Sequence, residues 1–133
     1  MEIVFVYGTL KRGYSNNALL RSSKLLGRAI TKERFTMFED GIPYVSKYIQ
    51  TSRISGEVYA VSKSTLDNLD MLEGHPSWYK REKTHIEYLN DQGDTKTINA
   101  WLYFNESIPE RANINKQGIY GYKENNRFRT LLY

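Results

Sequence analysis

The stretch that most constrains the fold is KTHIEYLNDQGDTKTINAWLYF, residues 83–104. Both of its halves are rich in β-branched and aromatic residues, which favour strands. Between them stands Asn90-Asp91-Gln92-Gly93, whose residue types are typical of a turn. We therefore predict two strands that are joined by this turn.

Three further segments have strand character. EIVFVYG, residues 2–8, is apolar on both faces and ends at a glycine, which predicts a central strand. ERFTMFEDG, residues 33–41, alternates, and SGEVYAV, residues 55–61, predicts another strand. ALLRSSKLLG, residues 18–27, has leucine pairs and a closing glycine, and predicts a short helix or an irregular apolar stretch.

One segment predicts a helix clearly. Ser64 followed by Asp67 fits a loose capping box, and Gly74 with a proline two residues later is a stop signal. A helix is therefore expected over about residues 65–73. Beyond this helix and the two following strands, residues 105–133 show little periodicity and predict a loop-rich segment.

The composition excludes several classes of site. A chain of 133 residues suits one domain. Because there is no cysteine, there is no disulfide framework, thiol nucleophile or thiolate metal site. Two isolated histidines do not indicate zinc, and no dinucleotide fingerprint is present. We therefore expect neither a metal nor a cofactor.

Charge and hydropathy narrow the set of partners. The net charge of +4 comes from short, scattered basic clusters, which favour a mildly basic surface over a nucleic-acid interface. No run approaches about 18 consecutive apolar residues, and no basic segment leads into an apolar one. We expect a cytoplasmic protein, a monomer, with no nucleic acid or membrane partner.

The glycine-rich stretch GTLKRGYS, residues 8–15, differs by one residue from a phosphate-binding loop. Such a loop needs a lysine directly after its second glycine, because that side chain reaches the outer phosphates. Tyr14 stands there instead, which makes nucleotide binding a poor interpretation. What remains is a turn after a strand, Tyr7-Gly8-Thr9-Leu10, whose backbone amides can converge on an oxygen atom. A plain strand-to-loop turn is the alternative.

Glu73 occupies an unusual position on the predicted helix. At about 100° per residue, its angle around the helix axis falls between those of Leu66 and Leu69, within the apolar stripe. It also lies in the last turn, where the helix dipole disfavours negative charge. Burial and dipole would both raise its pKa, as expected of a general acid or base. Alternatively, Glu73 is structural and pairs with a cation such as Arg81.

Three ordered segments resemble one known family. VFVYGTLKRG followed by an asparagine, then GEVYAV, then LDNLDMLEGHPSWYKR, are similar to the γ-glutamyl cyclotransferase superfamily, and most of all to its γ-glutamylamine branch. The resemblance covers residues 2 to about 104. It implies an α+β fold, a small mixed β-barrel with a few short helices packed around it, in a single domain over residues 1–133.

The resemblance also implies an activity and a set of site residues. The α-amine of an L-γ-glutamyl amine, such as γ-glutamyl-ε-lysine, attacks its own γ-carbonyl, which forms 5-oxoproline and releases the amine. Glu73 matches the family's catalytic acid. The backbone of Tyr7, Gly8, Thr9 and Leu10 would hold the γ-glutamyl group, and Arg81 is a further candidate for substrate binding.

Other functions remain open at this point. A cyclotransferase for other γ-glutamyl peptides, a small-molecule binding protein on the same fold, and a basic nucleic-acid binder are the alternatives. An aromatic residue of the C-terminal segment, Tyr120 or Tyr122, is a candidate to close the pocket, with a solvent-facing loop tyrosine as the other interpretation. His75 has no assigned role.

Overall fold

The computed structural model describes residues 1–107 and 113–121. These residues form eight strands, one α-helix and one 3-10 turn. The strands are β1 (Glu2–Val6), β2 (Lys24–Thr31), β3 (Thr36–Asp40), β4 (Ile42–Ser46), β5 (Ser55–Val61), β6 (Lys80–Leu89), β7 (Thr95–Phe104) and β8 (Asn113–Asn115). The helix α1 is Lys63–Glu73, and the 3-10 turn is Asn17–Leu20.

Five strands close into a barrel in the order β1-β5-β2-β6-β7. Neighbours in this series are antiparallel, and a parallel pairing of β1 with β7, at Val4 and Trp101, completes the circle. Beyond β7 the sheet continues through β4, β3 and β8, and β4 is parallel to β7. The predicted small mixed β-barrel is therefore confirmed.

Alternate residues of β1 enter two different apolar cores, because side chains of a strand alternate between its faces. Val4 and Val6 pack in one cluster with Leu66 and Leu69 of α1. Phe5 belongs to the second cluster, which draws residues from all five barrel strands. The unbroken apolar run at residues 3–7 is thus explained, and β1 is central as predicted.

The predicted hairpin is present. β6 and β7 pair continuously from Lys80 opposite Phe104 to Leu89 opposite Thr95. The amide of Gly93 donates to the carbonyl of Asn90 at 3.0 Å, which closes the turn. β6 starts three residues before the predicted segment, because a partner strand extends the pairing into a charged stretch that has no strand signal of its own.

The helix ends as predicted and begins earlier. Gly74 adopts a left-handed conformation with φ 66°, which favours glycine, and caps the helix at its C-terminus. At the other end Ser62, not Ser64, is the N-cap, and its hydroxyl accepts from the Thr65 amide at 3.1 Å. The predicted capping pair was wrong because Asp67 pairs with Lys63 instead, at 2.6 Å.

Two other segments differ from expectation. Residues 18–27 form only a 3-10 turn before β2 begins at Lys24, because β5 offers backbone partners to Lys24 and Leu25. In the segment expected to be loop-rich, β8 pairs with β3 over three residues. Ile119, which follows β8, is buried, so part of this segment contributes to the core.

Candidate active site

The turn after β1, Tyr7-Gly8-Thr9-Leu10, is fixed by hydrogen bonds from the loop that follows it. Three carbonyls of the turn accept from residues further along the chain: Gly8 from the Lys11 amide at 3.0 Å, Thr9 from the Asn16 amide at 2.9 Å, and Leu10 from the Asn17 side chain at 2.8 Å. The Asn16 side chain also donates to the Thr9 hydroxyl at 2.8 Å. These contacts orient the three carbonyl groups toward the loop that follows the turn, residues 11–17.

The same turn borders a cavity, which Gly8, Thr9 and Leu10 all line. Over residues 1–107 and 113–121, no acceptor is found for the backbone N–H groups of these three residues. Three consecutive amides on a cavity wall can converge on an anionic or carbonyl oxygen.

Lys11 takes no part in this wall. Its side chain is only 1% exposed, and its ammonium donates to the carbonyl of Tyr120 and lies 5.0 Å from the ring centre of Tyr14. It is not among the residues that line the cavity. The lysine of the apparent phosphate loop is therefore directed away from any ligand that occupies the turn.

Glu73 lies on the wall of the same cavity, at the last residue of α1. Burial raises the pKa of Glu73 to about 7. No hydrogen bond or ion pair to its carboxylate is found in the described part of the chain, so no positive charge opposes the effect of burial. The structural alternative, in which Arg81 neutralises Glu73, is wrong.

Three tyrosines surround Glu73: Tyr7, Tyr79 and Tyr103. Burial raises the pKa of each phenol, that of Tyr79 to about 12, and the negative charge of Glu73 adds to the effect. For Tyr103 the hydrogen bond to Asp70 raises the pKa more than Glu73 does. Two of the three phenolic protons are committed elsewhere. The hydroxyl of Tyr7 donates to the Tyr103 carbonyl at 2.8 Å, and that of Tyr103 donates to Asp70 at 2.7 Å. The part of the cavity wall around Glu73 is thus formed by neutral phenols.

Arg81 does not reach the cavity, so the structure does not place it among the substrate-binding residues. Its Nε and Nη2 donate to the two carboxylate oxygens of Asp70 at 2.8 and 3.1 Å, and its guanidinium lies 4.2 Å from the centre of a Trp101 ring. Asp70, which precedes Glu73 by one helical turn, therefore binds the guanidinium in place of Glu73. Arg81 is linked to Tyr103 of the cavity wall through Asp70.

The cavity has a volume of about 280 Å³. Its wall combines the turn after β1, the end of α1, the start of β4 and the segment between α1 and β6. The lining residues are Phe5, Val6, Tyr7, Gly8, Thr9, Leu10, Ser15, Asn16, Ile42, Pro43, Leu72, Glu73, Trp78, Tyr79 and Tyr103. Four predicted site residues, Tyr7 to Leu10, and Glu73 therefore meet around one space.

Comparison with known proteins identifies the family. The family described as Gamma-glutamyl cyclotransferase, AIG2-like matches residues 4–122. The chain belongs to this family. A Methanocaldococcus jannaschii protein provisionally named a gamma-glutamylcyclotransferase is 48% identical over 115 residues, which cover 86% of this chain and 90% of the relative. The human gamma-glutamylaminecyclotransferase is 37% identical over 101 residues, 69% of this chain and 66% of that protein.

A solved structure shows the same cyclotransferase fold. The crystal structure of a mouse AIG2-like protein superposes with a TM-score of 0.73 at 30% identity, covering 83% of this chain and 80% of that one. The resemblance seen in the sequence is thus confirmed for the family. No helix within the described residues is long and apolar enough to cross a membrane.

His75 and Tyr120, to which the sequence gave no fixed role, have defined neighbours in the structure. His75 accepts from the Arg81 amide through Nδ1 at 3.2 Å and lies edge-on to Tyr103, with ring centres 6.5 Å apart. Tyr120 packs against Tyr14 with ring centres 5.6 Å apart and does not line the cavity. Tyr122 lies outside the described residues.

Sequence reasoning gave no role to several residues of the site. Asn16 appeared only as part of the family resemblance, whereas its amide and side chain shape the turn. Tyr79 and Tyr103 enclose Glu73 from different elements. Asp70 could have been found from the sequence, because it lies three residues before Glu73 on the same side of a helix.

Proposed function

We propose that this protein is a γ-glutamylamine cyclotransferase, which converts an L-γ-glutamyl amine such as γ-glutamyl-ε-lysine to 5-oxoproline and the free amine. One observation carries the proposal. A carboxylate with its pKa raised to about 7, that of Glu73, faces the same cavity as three backbone amides for which the described chain offers no acceptor.

The turn after β1 supplies the anion site. The amides of Gly8, Thr9 and Leu10 would bind the substrate's α-carboxylate or the oxygen that becomes negative when its γ-carbonyl is attacked. Preorganised donors stabilise such an oxyanion because they need no rearrangement during the reaction. The hydrogen bonds that Asn16 and Asn17 make to the turn provide this preorganisation.

Glu73 would carry the proton. The ionised Glu73 takes one proton from the substrate's α-ammonium, and the resulting free amine bonds to the γ-carbonyl carbon. The bond between that carbon and the leaving nitrogen then breaks. The leaving nitrogen receives the proton held by Glu73 and the surplus proton of the attacking nitrogen, so it departs as an ammonium ion. No side-chain nucleophile is needed, because a well-oriented intramolecular attack has an effective molarity of about 10⁵ M or more.

The raised pKa of Glu73 makes this transfer easier. An α-ammonium with a pKa of about 8 facing an ordinary carboxylate leaves a proton-transfer gap of about 5 kcal/mol. With the pKa of Glu73 at about 7, the gap falls to about 1.4 kcal/mol. The burial that makes Glu73 costly to the fold therefore fits it for acid-base work.

The wall favours leaving groups that are linked through an amine with no neighbouring carboxylate, such as the ε-amine of lysine, over groups linked through the α-amine of an amino acid. In a γ-glutamyl peptide, the carbon attached to the leaving nitrogen carries a carbonyl or carboxylate group. Of the described residues that line the cavity none is a lysine or arginine, and the anion site of the turn is taken by the γ-glutamyl group itself. A second carboxylate close to Glu73 would be unpaired, which is unfavourable.

The experiment is an assay for 5-oxoproline by mass spectrometry. Purified protein is incubated separately with γ-glutamyl-ε-lysine, γ-glutamyl-alanine and glutathione. Glu73→Gln should bind substrate without turnover. Asp67→Asn is the matched control, because it removes one negative charge from the exposed face of the same helix and should retain activity.

The outcomes separate the possible functions. Product from γ-glutamyl-ε-lysine that disappears in Glu73→Gln supports the proposal. Product mainly from γ-glutamyl-alanine or glutathione would identify a cyclotransferase for peptides instead. Binding of γ-glutamyl compounds without any product would contradict the enzymatic role and favour a binding protein on this fold.

A further inference from the structure

The mouth of the cavity carries large apolar side chains in contact with solvent. Ile42, Leu72 and Trp78 line the cavity and are 48%, 40% and 63% exposed. We call these three residues the apolar collar. Solvent exposure of large apolar surface next to a site is a usual mark of ligand contact.

Local structure fixes the collar. The amide of Trp78 donates to the carbonyl of Gly74 at 2.8 Å, which ties the indole to the cap of α1. The rings of Trp78 and Tyr79 meet edge to face with centres 5.7 Å apart. Leu72 immediately precedes Glu73, and Ile42 is the first residue of β4. The collar therefore comes from three elements that also form the site.

We propose that the apolar collar is the subsite for the leaving amine, and that it selects γ-glutamyl amines whose nitrogen carries an unbranched alkyl chain. This inference rests on the proposed cyclotransferase function. It adds a specificity-determining role for Trp78, Leu72 and Ile42.

The connectivity of the substrate leads to this assignment. In the proposed reaction the turn amides and Glu73 engage the α-carboxylate, the α-amine and the γ-carbonyl. The leaving nitrogen is bonded to the γ-carbonyl carbon, so its substituent must continue from that carbon toward the opening. The walls it meets there are the side chains of the collar. Methylene groups gain from such contact, whereas charged groups do not.

The expected effect is a dependence on chain length. Full burial of one methylene raises kcat/KM by about fourfold. A chain that is covered on one side only gains about half of that free energy, or about twofold in kcat/KM per methylene. From γ-glutamyl-ethylamide to γ-glutamyl-pentylamide, three methylenes should raise kcat/KM by about eightfold.

The experiment measures kcat/KM for γ-glutamyl-ethylamide, -propylamide, -butylamide and -pentylamide, and compares the pentyl-to-ethyl ratio between variants. Trp78→Ala and, on a different element, Ile42→Ser should lower the ratio to below about threefold. Met71→Ala is the matched control, because Met71 is a large apolar residue of α1 that is 81% exposed and does not line the cavity. Its ratio should stay at the wild-type value.

Binding of the same series to Glu73→Gln by calorimetry tests the subsite without turnover. Affinity that rises with chain length and loses this rise when Trp78→Ala is added supports the collar. Product from all amides with a flat ratio overturns the collar and leaves the cyclotransferase function standing. Length-dependent binding without product from wild type overturns the proposed function and keeps the subsite. If no product forms and binding does not depend on chain length, both the proposed function and the collar are overturned.

Discussion

Removal of the charge on Glu73 should make the protein more stable as well as inactive. Folding raises the pKa of this carboxyl from 4.5 to about 7, so its ionised form destabilises the folded state by about 3 kcal/mol. Because part of the side chain reaches the open cavity, solvent screening reduces this to about 2 kcal/mol. Glu73→Gln keeps the shape of the side chain and removes the cost.

The pH dependence of this gain follows from the direction of the shift. Below pH 4.5 the carboxyl is protonated in both states and costs nothing. The penalty grows between pH 4.5 and about 7, where the folded state binds more protons than the unfolded state, and is complete above about 7. The free energy of unfolding of Glu73→Gln minus that of wild type should therefore be about 2 kcal/mol larger at pH 8 than at pH 4.

Urea unfolding at both pH values measures this difference, because contributions of all other groups cancel between the two proteins. Asp67→Asn, on the exposed face of the same helix, should change the free energy of unfolding by less than about 0.5 kcal/mol at either pH. A difference for Glu73→Gln that is the same at pH 4 and pH 8 would show that the carboxylate is not desolvated in the folded state.

Three further predictions concern the site and its supports. Since Glu73 must be ionised to accept a proton, kcat/KM for 5-oxoproline release should rise about tenfold per unit from pH 5 to 6 and flatten near 7, and a level profile from pH 5 to 7 would contradict its role. Asp70→Asn removes the charged partner of Arg81 and the anionic acceptor of Tyr103, so we expect a loss of about 2 kcal/mol in urea unfolding together with reduced kcat; an unchanged kcat would rule out positioning through Tyr103. Gly56→Ala would put a Cβ atom 2.1 Å from the Val6 carbonyl, so it should cost at least about 2 kcal/mol of unfolding free energy, and wild-type stability would refute this close approach.

The sequence allowed the prediction of elements whose signals are local. The position of Glu73 on the apolar side of the helix could be predicted because helix phase is set by neighbours within seven residues. In angle around the helix axis, Glu73 lies between Leu66 and Leu69. The partner of Arg81 could not be chosen in the same way. Two carboxylates, Asp70 and Glu73, lie one turn apart, and only the position of β6 relative to the helix decides which one the guanidinium reaches.

The errors over residues 18–27 and in the C-terminal segment have a common physical cause, which is pairing with a distant strand. Lys24 and Leu25 look helical by composition, yet β5 gives their backbone a partner from more than thirty residues away. β8 has only three residues and exists because β3 has a free edge. Likewise, nothing local distinguishes Tyr79 and Tyr103 from the other tyrosines, because the barrel brings them together from separate elements.

Lys11 gives the molecule a built-in chemical reporter. Amine-reactive reagents modify lysines that solvent reaches, and this ammonium is sealed between the chain that follows β1 and the carbonyl of Tyr120. Lys11 would react with the reagent only when the contacts that bury its ammonium are broken. The rate of labelling at this one lysine, set against the rates at exposed lysines such as Lys63, would thus time the opening of the loop that shapes the turn, in a protein with no thiol to modify.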